Sequence, residues 1–356
     1  MHNARRMLMP ALVAALALSA CGGSGASSSG GGSISRPTGT LRIMAEHEVL
    51  ESAMLGPFEQ AHPGLKIETA EVEGSSEAAT KLSAGFSTDV VETCADEITP
   101  LLKRGILQPI ETSKLTNWDE LDRSLRSTTG TTFQGKQMFV PQQAGPHGLI
   151  YNTADFPKGV DTIKELFNPA LKGKVAMNGD DKSIIAMTAF SLGIKNPFQM
   201  SEAQLTEVGK YLNAHASQFR AFPESDASQL NLMKSGEVEL MDGGLGTANE
   251  MIAGGVPVKY VRPKEGGYSW VCGLAITKNA KNLNAAYALI NYYTSVNAQA
   301  HFGDEGYVIM NEDAVSHVKA ALRSTAAPAS LAGITIEQEP KNPQRWVEIY
   351  QEVISG

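Results

Sequence analysis

An α/β fold is predicted by three features of the chain. Segment 40–104 runs in β-α-β-α-β order, segment 138–261 repeats the alternation, and a Pro/Gly turn at 263–267 feeds an apolar run to Ile276. Residues 40–45 form a short apolar run, and 51–61 spaces Met54, Leu55 and Phe58 along one helical face before His62-Pro63-Gly64. Residues 65–72 alternate apolar and polar side chains as a half-covered strand does. A small-residue helix follows at 77–85, a strand at 89–93 (DVVET) and a helix at 98–104 closed by Gly105. That order favours a mostly parallel sheet covered by helices. Ligands of such sheets bind beyond the carboxyl ends of the strands, which here means residues 44–47 and 94–97.

The second block reads as strands at 138–140, 148–152, 174–177, 238–241 and 258–261. Its helices open at 162 and span 184–192, 201–215, 226–234 and 247–253; in 201–215, Leu205, Val208, Tyr211 and Leu212 share one face. The turn PKEGG (263–267) redirects the backbone into the next strand. Tyr268 and Trp270, two residues apart, lie on one side of that strand. They are either core aromatics or the wall of a ligand cleft. Helices at 283–295, 296–302 and 343–353 complete the chain, with no repeats or heptads.

The amino terminus carries an address. Arg5 and Arg6 precede an apolar run at 7–18, then Ser19-Ala20-Cys21, the layout of a secretory signal. The run is shorter than the roughly 20 residues a spanning helix needs. With cysteine after the small residues, the segment resembles a bacterial lipoprotein signal, which implies diacylglycerol on Cys21; a plain signal peptide is the alternative. Residues 1–20 are therefore read as the signal and 21–39 as a lipidated Gly/Ser tether. Without the signal the chain holds 28 basic and 38 acidic side chains, about −10 in net charge. Such a balance argues against nucleic acid as partner and is compatible with a cationic ligand.

Several stretches in order carry a family resemblance: GILQPIETSKLTNWDELD (105–122), VPQQAG (140–145), GLIYN (148–152), FNPALKGKV (167–175), PKEGGYSWVCGLAI (263–276), NAKNLNAAYALINY (279–292) and Gly306-Tyr307. The chain resembles the spermidine/putrescine-binding receptors of bacterial ABC importers from residue 40 to the end. That likeness implies a type II periplasmic-binding-protein fold, two α/β lobes that close on a solute like a hinge. Lobe 1 would comprise 40–144 plus 268–312, and lobe 2 145–267 plus 313–356. It also implies a monomer that hands a small-molecule ligand to permease subunits, held at the outer face of the cytoplasmic membrane or in the periplasm. No cofactor, metal or catalysis is expected: Cys94 and His47 lack an orienting third group, and Gly243-Gly244-Leu245-Gly246 lacks the phosphate-loop patterns.

A buried ammonium needs carboxylate partners and gains about 0.5–2 kcal/mol from an aromatic face. On the resemblance, Trp270 and Tyr307 take the aromatic positions, and Glu46 and Asp181 the acidic ones. Departures are equally specific. Cys272 and Ile184 stand where the family has acids, and Met44 and His47 where aromatics are usual. A second tryptophan is replaced in the Gly243-Gly244 stretch. Asp96 and Asp242 are candidate replacement carboxylates or solvated loop ends; Gly244 and His147 complete the expected ligand-binding set. Cys94 and Cys272 fall on neighbouring strand ends by the same likeness. Three states are open to them: a disulfide, two buried thiols, or a soft-metal site with Met44 and His47. Rival ligands are an amino-acid conjugate, a carboxylate or a phosphonate, held by Arg42 or the Gly243 region. Outside transport, a surface sensor or adhesion role is the alternative.

Overall fold

A computed structural model describes residues 36–355; the expected signal, Cys21 and the tether as far as Ser35 lie outside them. A mixed sheet of twelve strands runs through the described residues, with a small two-stranded sheet of Thr132–Phe133 and Lys136–Gln137 beside it in sequence. At one end Leu65–Glu71, Gly39–Ala45 and Val90–Cys94 lie side by side in parallel, with Leu41 opposite Ile67 and Ile43 opposite Val90. At the other, Leu240–Gly244, Val175–Ala176 and Phe219–Ala221 are again parallel. The centre is antiparallel: Tyr268–Thr277 runs between Val90–Cys94 and the long strand Phe139–Asn152, which also pairs with Leu240–Gly244. The expectation of a mostly parallel sheet thus describes the flanks and not the middle.

The long strand corrects a second expectation. Sequence reading leaves 141–147 out of any strand, and two prolines, which give no ladder donor, fall in that gap. Both prolines sit where that defect costs little. Pro141 faces Gly273 beside the register shift between Cys272 and Gly273, and a bulge is where ladders tolerate proline. A Cβ on Gly273 would come within 2.0 Å of the Val140 carbonyl, so only glycine fits there. Pro146 lies between two partners on the strand's other edge, Val308–Ile309 reaching Ala144 and Leu240–Gly244 reaching His147. The gap between those partners becomes the floor of a cleft.

Apolar side chains segregate into separate clusters, as helix and sheet faces covering one another should. Leu41, Ile43, Phe58, Phe139, Ile290 and Phe302 belong to the first. Ile185, Phe190, Phe198, Leu205, Leu212 and Trp346 belong to the second, and Met233, Met241 and Met251 to a smaller third. The C-terminal helix Pro343–Ser355 seals the second cluster, stacking Trp346 on Phe198 with ring centroids 5.7 Å apart. Ala314, Val318, Ala326 and Leu331, which the sequence partition gives to the second lobe, pack into the first cluster. Phe139–Asn152 and Tyr268–Thr277 pass from one cluster to another: Phe139 and Val140 are in the first, Leu149 and Tyr151 in the second.

Other elements start and stop for local reasons. Ser201 caps Glu202–His215 with a reciprocal box through Gln204, and Asp180 caps Asp181–Ser191 by accepting from Ser183 N at 2.7 Å. The segment opening at 162 is a 3-10 turn, Ile163–Phe167, rather than an α-helix. A short helix that sequence reading leaves out, His47–Leu50, follows directly on the first strand with Glu46 at its N-cap.

Candidate functional site

Two connected chambers open above the gap in the sheet, of about 390 Å³ and 340 Å³. Size does not distinguish them; charge does. Glu46, Cys94, His147 and Trp270 line both, so the chambers meet at the tryptophan and Cys94.

Strand ends supply the first chamber, in keeping with the rule for open α/β sheets. Glu46 follows Gly39–Ala45 and its side chain makes no cap bond. Glu48 sits in the turn after it, and Gln143 on the long strand donates to it at 3.3 Å. From across the cleft come Asp226, first residue of its helix, and Glu250 on Leu245–Ala253. Four carboxylates therefore line this chamber, and no Lys or Arg does. Beneath them Glu92 is fully buried, accepting from Glu46 N at 3.0 Å and from Gln142 and Gln143 at 3.1 and 3.3 Å. Burial, reinforced by Glu48 and Glu97, pushes Glu46 up to about 8. Glu48 is raised mainly by burial, and Glu92 by burial and then by Glu46 and Glu48.

The aromatic wall is fixed by a glycine. Trp270 lies opposite Gly145 across the ladder, and a Cβ on Gly145 would meet the indole at 2.3 Å. Tyr307 stands edge-on to Trp270, centroids 6.0 Å apart at 65°, and is itself braced by Phe302. His147 stacks on Tyr268 at 4.7 Å and shares a 2.9 Å hydrogen bond with its hydroxyl; burial lowers its pKa. Between the chambers Cys94 and Cys272, directly opposed on neighbouring antiparallel strands, form a disulfide with Cα atoms 3.9 Å apart.

In the second chamber six carboxylates meet one lysine. Lys182, on Asp181–Ser191, contacts Asp96, Glu97 at 3.1 Å and Glu337 at 3.1 Å. Burial pulls its pKa down, yet Glu337, Asp96 and Glu97 outweigh that and hold the ammonium charged. Asp180 is consumed as a helix cap, while Asp181 projects half-buried into the chamber with its pKa raised by burial and by Asp180.

Of the expected site residues, Glu46, Cys94, Cys272, His147, Trp270, Tyr307 and Gly244 line the first chamber, and Asp96 and Asp181 the second. Four expectations are corrected. Met44 is wholly buried in the first cluster, because its strand is covered on both faces. His47 points outward to Glu71 at 3.5 Å and is largely exposed. Asp242 is sealed in the sheet, accepting from Asn178 N at 2.8 Å. Arg42 pairs with Glu68 and Asp89 at the sheet and lines neither chamber. The soft-metal constellation dissolves with these placements, since the sulfurs are bonded to one another and Met44 and His47 face elsewhere. Residues that sequence reading missed include Glu48, Asp226 and Glu250. Glu48 stood three places beyond a strand end, and Thr247 and Glu250 share a helical face just past Gly243-Gly244.

A sheet with ligand-sized chambers between separately packed cores is a frame for holding a small solute. The chain belongs to the bacterial extracellular solute-binding proteins: the family model matches residues 53–329. Among individual relatives, it is similar to the spermidine/putrescine-binding periplasmic protein of Escherichia coli, 29% identical over 236 residues. That alignment covers 64% of this chain and 65% of the relative, so the chain spans just under two thirds of that protein's length. A putrescine/agmatine-binding protein of Pseudomonas aeruginosa is 25% identical over 75% of this chain and 77% of its own. In fold the chain is similar to the substrate-binding protein PotD of Streptococcus pneumoniae, with a TM-score of 0.78, 19% identity, and coverage of 89% and 97%. No helix among the described residues is long and apolar enough to cross a membrane.

Proposed function

We propose that the chain is the membrane-tethered binding subunit of an ABC importer and that its ligand is a small organic polycation of the polyamine type. One observation carries the reading: four carboxylates line the first chamber beside Trp270 and Tyr307, with no lysine or arginine to neutralise them and a histidine, His147, whose pKa burial lowers. Each charge-assisted hydrogen bond to an ammonium contributes about 1.5–3 kcal/mol, and micromolar affinity needs about 8 kcal/mol in all. Three such bonds with aromatic contact reach that range. Glu48, Asp226 and Glu250 thereby make up for the acids that Cys272 and Ile184 displace. A carboxylate or phosphonate would enter a chamber of its own sign, with Arg42 out of reach.

The relatives named for spermidine, putrescine or agmatine support the same chemistry. The lobes expected from sequence, 40–144 plus 268–312 and 145–267 plus 313–356, would move about the long central strands, with residues 314–331 assigned to the first. Lipid on Cys21 would hold the receptor beside its permease. A thermal-shift panel of putrescine, spermidine, amino acids, opines and phosphonates tests the reading. Amines should raise Tm; a shift with anionic ligands and none with millimolar amines overturns it.

A further inference from the structure

Lys182 makes the second chamber unlike the first. An ammonium has three N–H donors, and here three carboxylates surround it: Asp96, Glu97 and Glu337. Asp96 and Glu337 keep only 2% and 6% of their side chains exposed, so this is an inner coordination of a cation and not a surface ion pair. The partners also come from different parts of the fold. Asp96 and Glu97 follow Val90–Cys94 of the first cluster, and Lys182 projects from a helix buried in the second. An ammonium of the protein's own thus sits in the chamber and bridges its walls. In the first chamber the acids have no such partner, and Gln143, buried on its floor, keeps an Oε1 without a donor.

We propose that Lys182 is a built-in occupant of the second chamber, a specificity-determining residue that confines the ligand to a short amine held wholly among Glu46, Glu48, Asp226 and Glu250. The inference rests on the polyamine reading and deepens it. A longer triamine entering from the first chamber would pass Trp270 and bring its far ammonium against Lys182. There it meets like charge, and the carboxylates it needs are already taken. Glu46, shared with the first chamber, Asp181 and the one open oxygen of Asp96 are what remain for it. Putrescine, with two ammonium groups on four carbons, needs only the first chamber.

Isothermal titration of the full chain with putrescine and with spermidine tests this, in the wild type and in Lys182→Met, which keeps the apolar stem and drops the charge. The wild type should bind putrescine at least tenfold tighter than spermidine. Lys182→Met should shift that ratio at least tenfold toward spermidine, and Lys182→Arg, which keeps the charge, should preserve it. A wild type that binds spermidine as tightly as putrescine overturns the inference and leaves the amine reading standing. An unchanged ratio in a folded Lys182→Met does the same. A wild type that binds neither amine sinks the amine reading itself, and the inference with it. Should Lys182→Met fail to fold, Lys182→Gln and the wild-type ratio decide.

Discussion

On one side of Trp270 the cleft holds acids with no lysine or arginine among them; on the other it holds acids around a lysine. The two chambers are alike in size and share a wall, so the contrast isolates charge compensation. Uncompensated carboxylates in a half-dry cavity cannot all stay ionised, and Glu46 accordingly keeps its proton to about 8. Such a chamber is a site prepared for a cation that arrives from outside. Its neighbour meets part of the same demand from within the chain through Lys182, although burial and then Asp96 still push Glu337 up to about 8. Buried acidity alone therefore does not define a binding site; acidity left unpaired does.

The largest effect should come from disarming the open chamber. Glu46→Gln with Glu48→Gln removes two charge-assisted partners, about 1.5–3 kcal/mol each. Putrescine affinity should fall by about 100-fold or more in calorimetric titration. Glu97→Gln, the same change beside Lys182, should cost less than about threefold. Equal losses from both chambers would erase the distinction between them.

Next in size is the seam between the chambers. The Cys94–Cys272 disulfide closes a loop of sequence separation 178 and ties Val90–Cys94 to the central strand. Replacing both cysteines by serine should lower stability by about 2–4 kcal/mol, read as a lowered urea midpoint with a larger m-value, because the unfolded chain loses its cross-link. Affinity for putrescine should change less than stability, because neither sulfur carries charge. A variant with unaltered midpoint would show that the seam adds nothing the ladder does not already provide.

Trp270→Ala comes third. Loss of the aromatic face should weaken putrescine by about 0.5–2 kcal/mol, and Trp270→Phe should recover part of it. Gly145→Ala reaches the same wall from behind, since its methyl would drive into the indole at 2.3 Å. Both changes should leave the Lys182 cluster intact, which a wild-type unfolding midpoint would report for Trp270→Phe.

How much of this the sequence disclosed depended on whether the signal was local. Gly39–Ala45, Leu65–Glu71, Glu202–His215 and Tyr268–Thr277 declare themselves by alternation, helical spacing or caps within a few residues. Trp270, Tyr307 and Glu46 were legible through family likeness. Phe139–Asn152 was not legible as one strand, because the neighbours that excuse Pro141 and Pro146 lie far along the chain. Met44 and Asp242 show the converse: a strand end in sequence points to the cleft, but both faces of these strands are covered and the two side chains are buried. Lys182 gave no sign of its role, since its three partners lie 86, 85 and 155 positions away in sequence. Ion pairing across that distance has no periodicity to read.

The smallest and most diagnostic effect is the pH dependence of binding. In the ligand-free protein Glu46 keeps its proton up to about 8, raised by burial and then by Glu48 and Glu97, against an ordinary value of 4.5. Between those values the folded chain binds more protons than the unfolded chain. Ligand-free stability should therefore fall as pH rises from about 4.5 through 8, the reverse of a carboxylate held low by a salt bridge. A dication pairs only with the ionised form, so its binding expels the proton and its affinity should rise with pH. For a single group of this kind the gain from pH 7 to 8 is about fivefold, or about 1 kcal/mol. Titrations in buffers of different ionisation enthalpy should show net proton release at pH 7. With Glu46→Gln the pH slope should flatten, and Glu97→Gln, which removes one of the charges that raise Glu46, should flatten it only in part. An affinity that is flat in pH, or that falls as pH rises toward 8, would mean the open chamber is already ionised without its ligand, and the contrast with the lysine-filled chamber would lose its electrostatic basis.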